Sequence, residues 1–317
     1  MSEDGYALAR TLTARAGRTY YLASALLPAR RRRGVFALYG FARMVDDIVD
    51  DHGVPAAQAA ALDAVEAGLT AALSGIAPAP GSPAQALTPD QWCLLAALAD
   101  TVDGFAIDPA TFTAFLHSMR MDVPGTAEFR NRYRTFGELR EYTYGSASVI
   151  GLQMLPILGV APGADRCTPA GPVSYTEVAA GAALLGEAFQ LTNFLRDVAE
   201  DLDRDRIYLP SAETAAFGVD ELTLRADAER GRPGRALRRA LAHLTAINRD
   251  QYRRAGPAVA ALPPRTRPAI AAAARSYGDI LTEIEDSGYD VFARRAVVPV
   301  RRRLRHAGWA ALTGGRR

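Results

Sequence analysis

Residues 34–50 read GVFALYGFARMVDDIVD, an apolar run that ends in three aspartates. The apolar spacing predicts a helix, and on a helix Asp46 and Asp50 lie four apart on one face. Their carboxylates are then separated by ~6 Å along the axis, a span that can hold a divalent cation between them. A single acidic pair on a helix is more often a solvated face than a site. The remainder of the chain has to supply a second pair and a reason for the metal.

The composition narrows the possibilities. The chain has 317 residues, 49% of them hydrophobic, enough for a substantial core in two ordinary domains or one large helical one. The formal net charge is +2, so the global balance makes no argument for nucleic acid. All 37 basic residues are arginines, which excludes a phosphate-loop lysine and a Schiff-base lysine. Cys93 and Cys167 lie far apart without metal-ligand spacing, as expected in a reducing cytoplasm. The N-terminal MSEDGYALAR lacks the pattern of a signal peptide, and no long apolar run free of charge predicts a transmembrane helix.

Alanine and leucine abound, period-two alternation is scarce, and the chain reads as all-α, a single helical domain over residues 1–317. Helices are expected over 3–16, 19–27, 34–51, 56–74, 90–103, 109–121, 136–158, 173–200, 220–228, 233–255, 268–285 and 295–311. The Pro/Gly/Ala-rich segment 75–89 reads as a mobile loop, 122–135 as irregular, 161–172 as a loop and 257–268 as holding a turn. Arg30–Arg33 reads as a solvated helix start, with contact to an anionic membrane surface as the alternative.

The second acidic stretch is QLTNFLRDVAED, residues 190–201. Gln190, Asn193, Asp197 and Asp201 fall on one helical stripe, matched by Tyr39, Arg43, Asp46 or Asp47, and Asp50 in the first. Carboxylates on a core-facing stripe are costly unless paired or bound to metal. Two such stripes face to face make a cavity with an acidic rim and an apolar floor. Arg43 and Arg196 beside them suit a ligand that is itself anionic, such as a diphosphate bridged to magnesium. Asp46, Asp50, Asn193, Asp197 and Asp201 are the candidate metal ligands, with Mg2+ expected and Mn2+ able to replace it. No histidine has a glutamate three residues before it, and no His-Glu-x-x-His occurs, so His52, His117, His243 and His306 read as surface or core residues.

These residues resemble the phytoene/squalene synthase family of head-to-head prenyl diphosphate synthases. The likeness runs from about Arg18 to about Leu304. It rests on TYYLA at 19–23, ALYGFAR at 37–43 leading into DDIVD, MRMD at 119–122, YTYGSA at 142–147, the 190–201 stretch followed by RIYLP at 206–210, and GYDVF at 288–292. The wording is most similar to bacterial phytoene synthases. The resemblance implies an isoprenoid synthase fold around a central cavity, with two geranylgeranyl diphosphates joined through prephytoene diphosphate to phytoene. It implies substrate contacts from Thr19, Tyr20, Arg43, Asp47, Gln190, Asn193 and Tyr277, no NADPH, and hand-off of the hydrocarbon to a desaturase. Gly17-Arg18-Thr19 departs from relatives that carry serine there; Thr19 keeps a hydroxyl, and Arg18 is the alternative diphosphate contact.

The chemistry needs a leaving diphosphate to be neutralised and the resulting cation to be kept dry. Arg43 and Arg196 are expected to stabilise the departing charge, and Asp47 to support the metal shell. Tyr39, Tyr208 and Tyr277 are candidates to position diphosphate or steer proton and cation. Leu22, Phe36, Val149 and Leu152 are candidate cavity walls, with an ordinary core role as the bland alternative. Ser24 is small enough to leave room for a long prenyl tail. The competing readings are a squalene or dehydrosqualene synthase using farnesyl diphosphate, a non-catalytic helical assembly factor and a generic helical metal-binding bundle. Cytoplasmic location is expected from the cysteine usage and the N-terminal pattern, with loose membrane contact because substrates and product are apolar.

Overall fold

The computed structural model describes the chain apart from residues 52, 164, 169–170 and 316–317. In chain order α1 is Ser2–Ala16, α2 Arg18–Ser24, α3 Ala29–Asp50, α4 Pro55–Ser74, α5 Pro89–Phe105 and α6 Ala110–Arg120. Then come α7 Phe136–Thr143, α8 Val149–Leu158, α9 Tyr175–Arg196, α10 Val198–Asp203 and α11 Ser211–Ala215. The last are α12 Glu221–Glu229, α13 Arg235–Ala261, α14 Arg267–Asp286 and α15 Val300–Thr313. The all-α expectation holds, apart from one antiparallel ribbon of β1 (Arg166–Thr168) and β2 (Gly171–Val173) in a segment expected to be a plain loop.

Local chemistry sets the boundaries. Thr88 with Gln91, and Ser174 with Glu177, form reciprocal capping boxes that start α5 and α9. Pro28 caps α3, so this helix begins at Ala29 and takes in Arg30–Arg33 as its first turns. Those arginines are more than solvated. Arg30 Nη2 donates to the Gly104 carbonyl at 2.6 Å, Arg31 donates to the Ile157 carbonyl, and Arg33 Nη2 donates to Glu3 at 2.5 Å. The run therefore ties three neighbouring segments to α3.

Three expected boundaries move. The helix expected over 136–158 is interrupted by a π-turn at Tyr144–Ser148, a local widening frequent at functional sites. The helix expected over 173–200 breaks at Asp197, whose φ of −105° and ψ of 20° separate α9 from α10. Asp197 N still donates to Asn193 O at 2.8 Å and Asp201 N to Asp197 O at 2.9 Å, so the stripe survives the break. Helix α13, expected to end at 255, runs on through Pro257 to Ala261, and the turn expected within 257–268 lies at residues 264–266. Segment 75–89 contains a short 3-10 turn at Pro83–Ala86 and is pinned by buried Ala84 and Leu87.

Helix α9 is the centre of the molecule and packs against α13, α8, α14 and the π-turn. Among the described residues it is the one helix long and apolar enough to cross a membrane. Gly186, Phe189, Gln190 and Asn193, incompletely buried, line an internal cavity. The close approach of α9 to α8 and to the π-turn depends on glycine. A Cβ on Gly151 would lie 2.2 Å from the Ala182 carbonyl oxygen, and one on Gly186 2.3 Å from that of Ala147. Burial of Phe41, Leu95, Leu116, Leu195, Leu241 and Leu281 fills the space between the helices.

Candidate active site

A cavity of about 900 Å³ opens between α2, α3, α8, α9, α14 and the segment before α15. That volume lies at the upper end of ordinary ligand sites. Its floor is apolar, with Val35, Leu38, Ile150, Met154, Val178 and Leu185 among the lining residues. The four residues expected as walls do not line it. Phe36 and Val149 are buried in the core, Phe36 stacked on Tyr21 at 5.6 Å, Leu152 packs against the core, and Leu22 is half-buried on α2. On α3 and α8 the cavity face is offset by one or two positions: Val35 and Leu38 flank Phe36, and Ile150 follows Val149.

Both acidic motifs reach this cavity. Asp46, Asp50, Asp197 and Asp201 line it, as do Tyr39, Arg43, Gln190, Asn193, Arg196, Tyr208 and Tyr277. Thr19, Tyr20 and Ser24 border it from α2. Asp47 is not among the lining residues: it is exposed and paired with Arg43, so its place is beside the site, with Asp46 taking the inward position on the stripe.

Each acidic pair divides into one arginine-bound and one arginine-free carboxylate. Asp50 accepts from Arg206 Nη1 at 2.9 Å, and Asp197 accepts from Arg295 Nε and Nη2, both at 2.8 Å, and from Arg196 Nε at 2.7 Å. Asp46 and Asp201 have no ion pair among the described residues. Burial, with Asp50 nearby, pushes the Asp46 carboxyl up to about 7. Burial, with Asp197 nearby, pushes Asp201 up to about 8. Burial acts upward on Asp197 too, but Arg196 and Arg295 outweigh it and hold this group below the usual carboxylate range.

Asp122 links the two pairs. It accepts from Tyr208 Oη at 2.6 Å and Tyr142 Oη at 2.7 Å, and Arg206 Nη2 donates to its carbonyl at 3.3 Å. Its negative charge acts on both Asp46 and Asp201. Asp122, Arg206, Arg295 and Tyr142 are site residues that the spacing argument did not select. Asp122 and Arg206 stand in recurring motif segments but break the four-residue rhythm; Arg295 is recruited from a segment 98 residues away.

Tyr208 therefore acts through Asp122, with Phe194 stacked on its ring at 4.2 Å. A second aromatic group, Tyr20, Tyr39, Phe189 and Tyr277, lines the cavity wall. Phe189 stacks on Tyr277 at 4.4 Å, and Tyr20 lies 5.4 Å from Tyr277 and 5.9 Å from Tyr39. Such π-faces attract a cation in a dry cavity. Gly17 makes room for this group, because a Cβ there would approach the Tyr39 ring to 2.6 Å. That contact explains physically why residue 17 has no side chain.

The donor set suits a hard divalent cation. Asn193 Oδ1 is buried without a partner, while its amide nitrogen donates to Gln190 Oε1 at 3.3 Å. Together with the arginine-free Asp46 and Asp201, it leaves oxygen donors facing the cavity. No three carboxylate, histidine or thiol groups converge as a complete metal cage among the described residues. That arrangement matches an ion held by one or two carboxylates and completed by substrate phosphate oxygens. His117, His243 and His306 stay off the cavity, His243 on Glu213 and His306 on Asp279; His52 lies outside the described residues.

Comparison with known proteins decides the relationship. The family profile described as squalene/phytoene synthase matches residues 13–302. The chain belongs to the squalene/phytoene synthase family. Within that family it is 33% identical over 301 residues to the 15-cis-phytoene synthase of Synechococcus elongatus, covering 95% of this chain and 90% of the relative. It is 34% identical over 304 residues to the phytoene synthase of Arthrospira platensis, with the same two coverages. A solved dehydrosqualene synthase in complex with ligand superposes with a TM-score of 0.78 at 26% identity, covering 98% of this chain and 97% of that one. The family's isoprenoid synthase fold is the one described above.

Proposed function

We propose that this protein is a phytoene synthase that condenses two geranylgeranyl diphosphates head to head, through prephytoene diphosphate, to phytoene. The observation that carries this reading is the pairing of two acidic motifs, each with one arginine-free carboxylate, at one end of an apolar cavity. The relatives named phytoene synthase support the choice of substrate and product. Ser24 supports it too, since its small side chain borders the cavity and leaves space for a long tail.

Asp46, Asp201 and Asn193 would hold Mg2+, with Asp50 and Asp197 beside them. When bound, the ion supplies Lewis acidity toward the leaving diphosphate. Arg43 and Arg196 line the cavity and would stabilise the negative charge that develops as the allylic C–O bond breaks. The apolar floor excludes water while the second substrate's double bond attacks the cation. Tyr20, Tyr39, Phe189 and Tyr277 present ring faces to the positive charge. Loss of diphosphate from the cyclopropyl intermediate, rearrangement and loss of a proton then give the hydrocarbon without a hydride donor.

We place the reaction in the cytoplasm, with loose membrane contact and hand-off to a desaturase. Cys93 is a free thiol, which suits a reducing compartment. Val297, Val300 and Leu304 are exposed next to the segment that lines the cavity, and the product is insoluble in water.

Replacing Asp46 or Asp197 by alanine tests the clamp. Turnover of geranylgeranyl diphosphate is expected to fall at least a thousandfold with helical circular dichroism unchanged. Normal turnover in either variant contradicts the reading.

A further inference from the structure

The described residues expose ten large hydrophobic side chains, and four of them, Val297, Val300, Leu304 and Leu312, fall on α15 and the segment just before it. Apolar residues exposed singly are ordinary, whereas a contiguous row marks an interaction surface. Val300, Leu304, Gly308 and Ala311 follow spacings of four, four and three, so they share one face of α15, and all are exposed. Exposed Arg301 and Arg305 stand beside that row. Arg303 and Ala310 lie on the opposite face and are buried, and α15 packs on α14 and α2.

The charge on this surface has one sign. Residues 291–317 hold eight arginines and no acidic residue. Arg295 pairs with Asp197, and Arg302 with Asp279 and Glu283. Exposed Arg294, Arg301 and Arg305 have no ion pair among the described residues. An apolar row edged by unpaired cations suits the headgroup layer of an anionic bilayer, with aliphatic side chains among the acyl chains and guanidinium groups on lipid phosphates. A second copy fits worse, because the same face would set arginine against arginine with no acid between. The surface also runs up to the cavity: Arg295, Ala296, Val297 and Val298 line it, and Val297 is exposed as well.

We propose that the exposed face of α15, with Val297 before it, docks this protein on anionic lipid. Val300, Leu304 and Leu312 enter the apolar layer, while Arg294, Arg301 and Arg305 bind lipid phosphates. The proposal rests on the membrane contact proposed above and gives that contact a surface, a lipid charge and an orientation. Docking in this way turns the cavity lining at Val297 toward the bilayer. A long prenyl chain then passes between lipid and cavity with little of its length in water, and hydration of that apolar surface is what opposes its transfer. The arginine part of the attraction is screened by salt, the aliphatic part is not.

Flotation of the full chain with lipid vesicles tests the surface without substrate or turnover, so the result holds whichever hydrocarbon the protein makes. Wild type is expected to float with equimolar phosphatidylglycerol/phosphatidylcholine vesicles, to bind pure phosphatidylcholine about tenfold or more weakly, and to be released from the anionic vesicles by salt. The pairs Val300→Gln with Leu304→Gln, and Arg301→Gln with Arg305→Gln, are each expected to weaken anionic-vesicle binding about tenfold or more at an unchanged melting temperature. Leu222→Gln, an exposed leucine on α12, is expected to bind as wild type does. Vesicle binding that both pairs retain in full overturns this surface while the membrane contact stands. No binding of wild type to either vesicle overturns both. Equal wild-type binding to the two vesicles, indifferent to salt, overturns the anionic assignment. A wild-type dimer that binds no vesicle and that the Val300→Gln/Leu304→Gln pair dissociates makes the face a contact between copies and overturns docking.

Discussion

Arg206 Nη1 donates to an Asp50 carboxylate oxygen at 2.9 Å, joining the two acidic segments across 156 residues of chain. Its Nη2 donates to the Val49 carbonyl at 2.8 Å, so the guanidinium grips the C-terminal turn of α3. The same side chain lies 3.8 Å from the Asp122 carboxylate, which is 3% exposed. The Arg206→Met variant leaves Asp122 and Asp50 without this cation. The expected cost is about 2–4 kcal/mol, seen as a lower urea midpoint, together with at least a hundredfold loss of turnover. An unchanged midpoint would show that the bridge contributes nothing to folding.

The raised carboxyls at Asp46 and Asp201 fix the sign of the pH dependence. Unfolded aspartates release their protons near pH 4, whereas these folded groups keep theirs to about 7 and about 8. Between those limits the folded state binds more protons than the unfolded one. These two groups therefore make the metal-free protein less stable as pH rises from about 4 to about 8, whereas the lowered Asp197 affects the pH slope only below about 4. The Asp46→Asn variant should melt higher than wild type at pH 8 without metal, by roughly 1–4 °C, and lose this part of the pH slope. Calorimetric melts at pH 5 and pH 8 check it; a lower melting temperature at pH 8 goes against the assignment.

The same protons compete with metal. A protonated carboxyl is a poor ligand, so Mg2+ affinity in the presence of inorganic diphosphate should rise between pH 6 and pH 8, by up to about tenfold per unit for each proton displaced. Titrations at both pH values read this directly. Equal affinities would mean that neither Asp46 nor Asp201 ligates the ion.

Much of this site was legible because helical periodicity is a strong signal. The four-residue spacings of Asp46 with Asp50 and of Asp197 with Asp201 survive in three dimensions, even where α9 breaks at Asp197. Rotation about a helix axis was less legible. Phe36 and Val149 point into the core while Val35 and Ile150 reach the cavity, a shift that depends on how α3 and α8 dock. Long-range partners were invisible for the same reason. Nothing in the local sequence of Arg295 states that it lies on Asp197, nor that Arg303 has no acid beside it. The π-turn at Tyr144–Ser148 and the passage of α13 through Pro257 reflect tertiary packing that overrides local propensity.

Ser24 is 2% exposed, donates to the Tyr21 carbonyl at 2.8 Å, and borders the cavity. A phenyl ring at this position projects into the space assigned to the prenyl tail. The Ser24→Phe variant should lose at least tenfold in turnover of geranylgeranyl diphosphate and keep use of farnesyl diphosphate. Competition between the two substrates, read by product mass, checks it. Unchanged preference would place the tail elsewhere.

The central claim is a magnesium-assisted head-to-head condensation that ends in proton loss. Incubation of the purified protein with geranylgeranyl diphosphate and Mg2+, with and without NADPH, followed by mass analysis of the extracted hydrocarbon, tests it most directly. The account predicts phytoene in equal yield with and without NADPH, and none when EDTA replaces the metal. A reduced hydrocarbon that appears only with NADPH, or no hydrocarbon from geranylgeranyl diphosphate when farnesyl diphosphate is consumed, would contradict it.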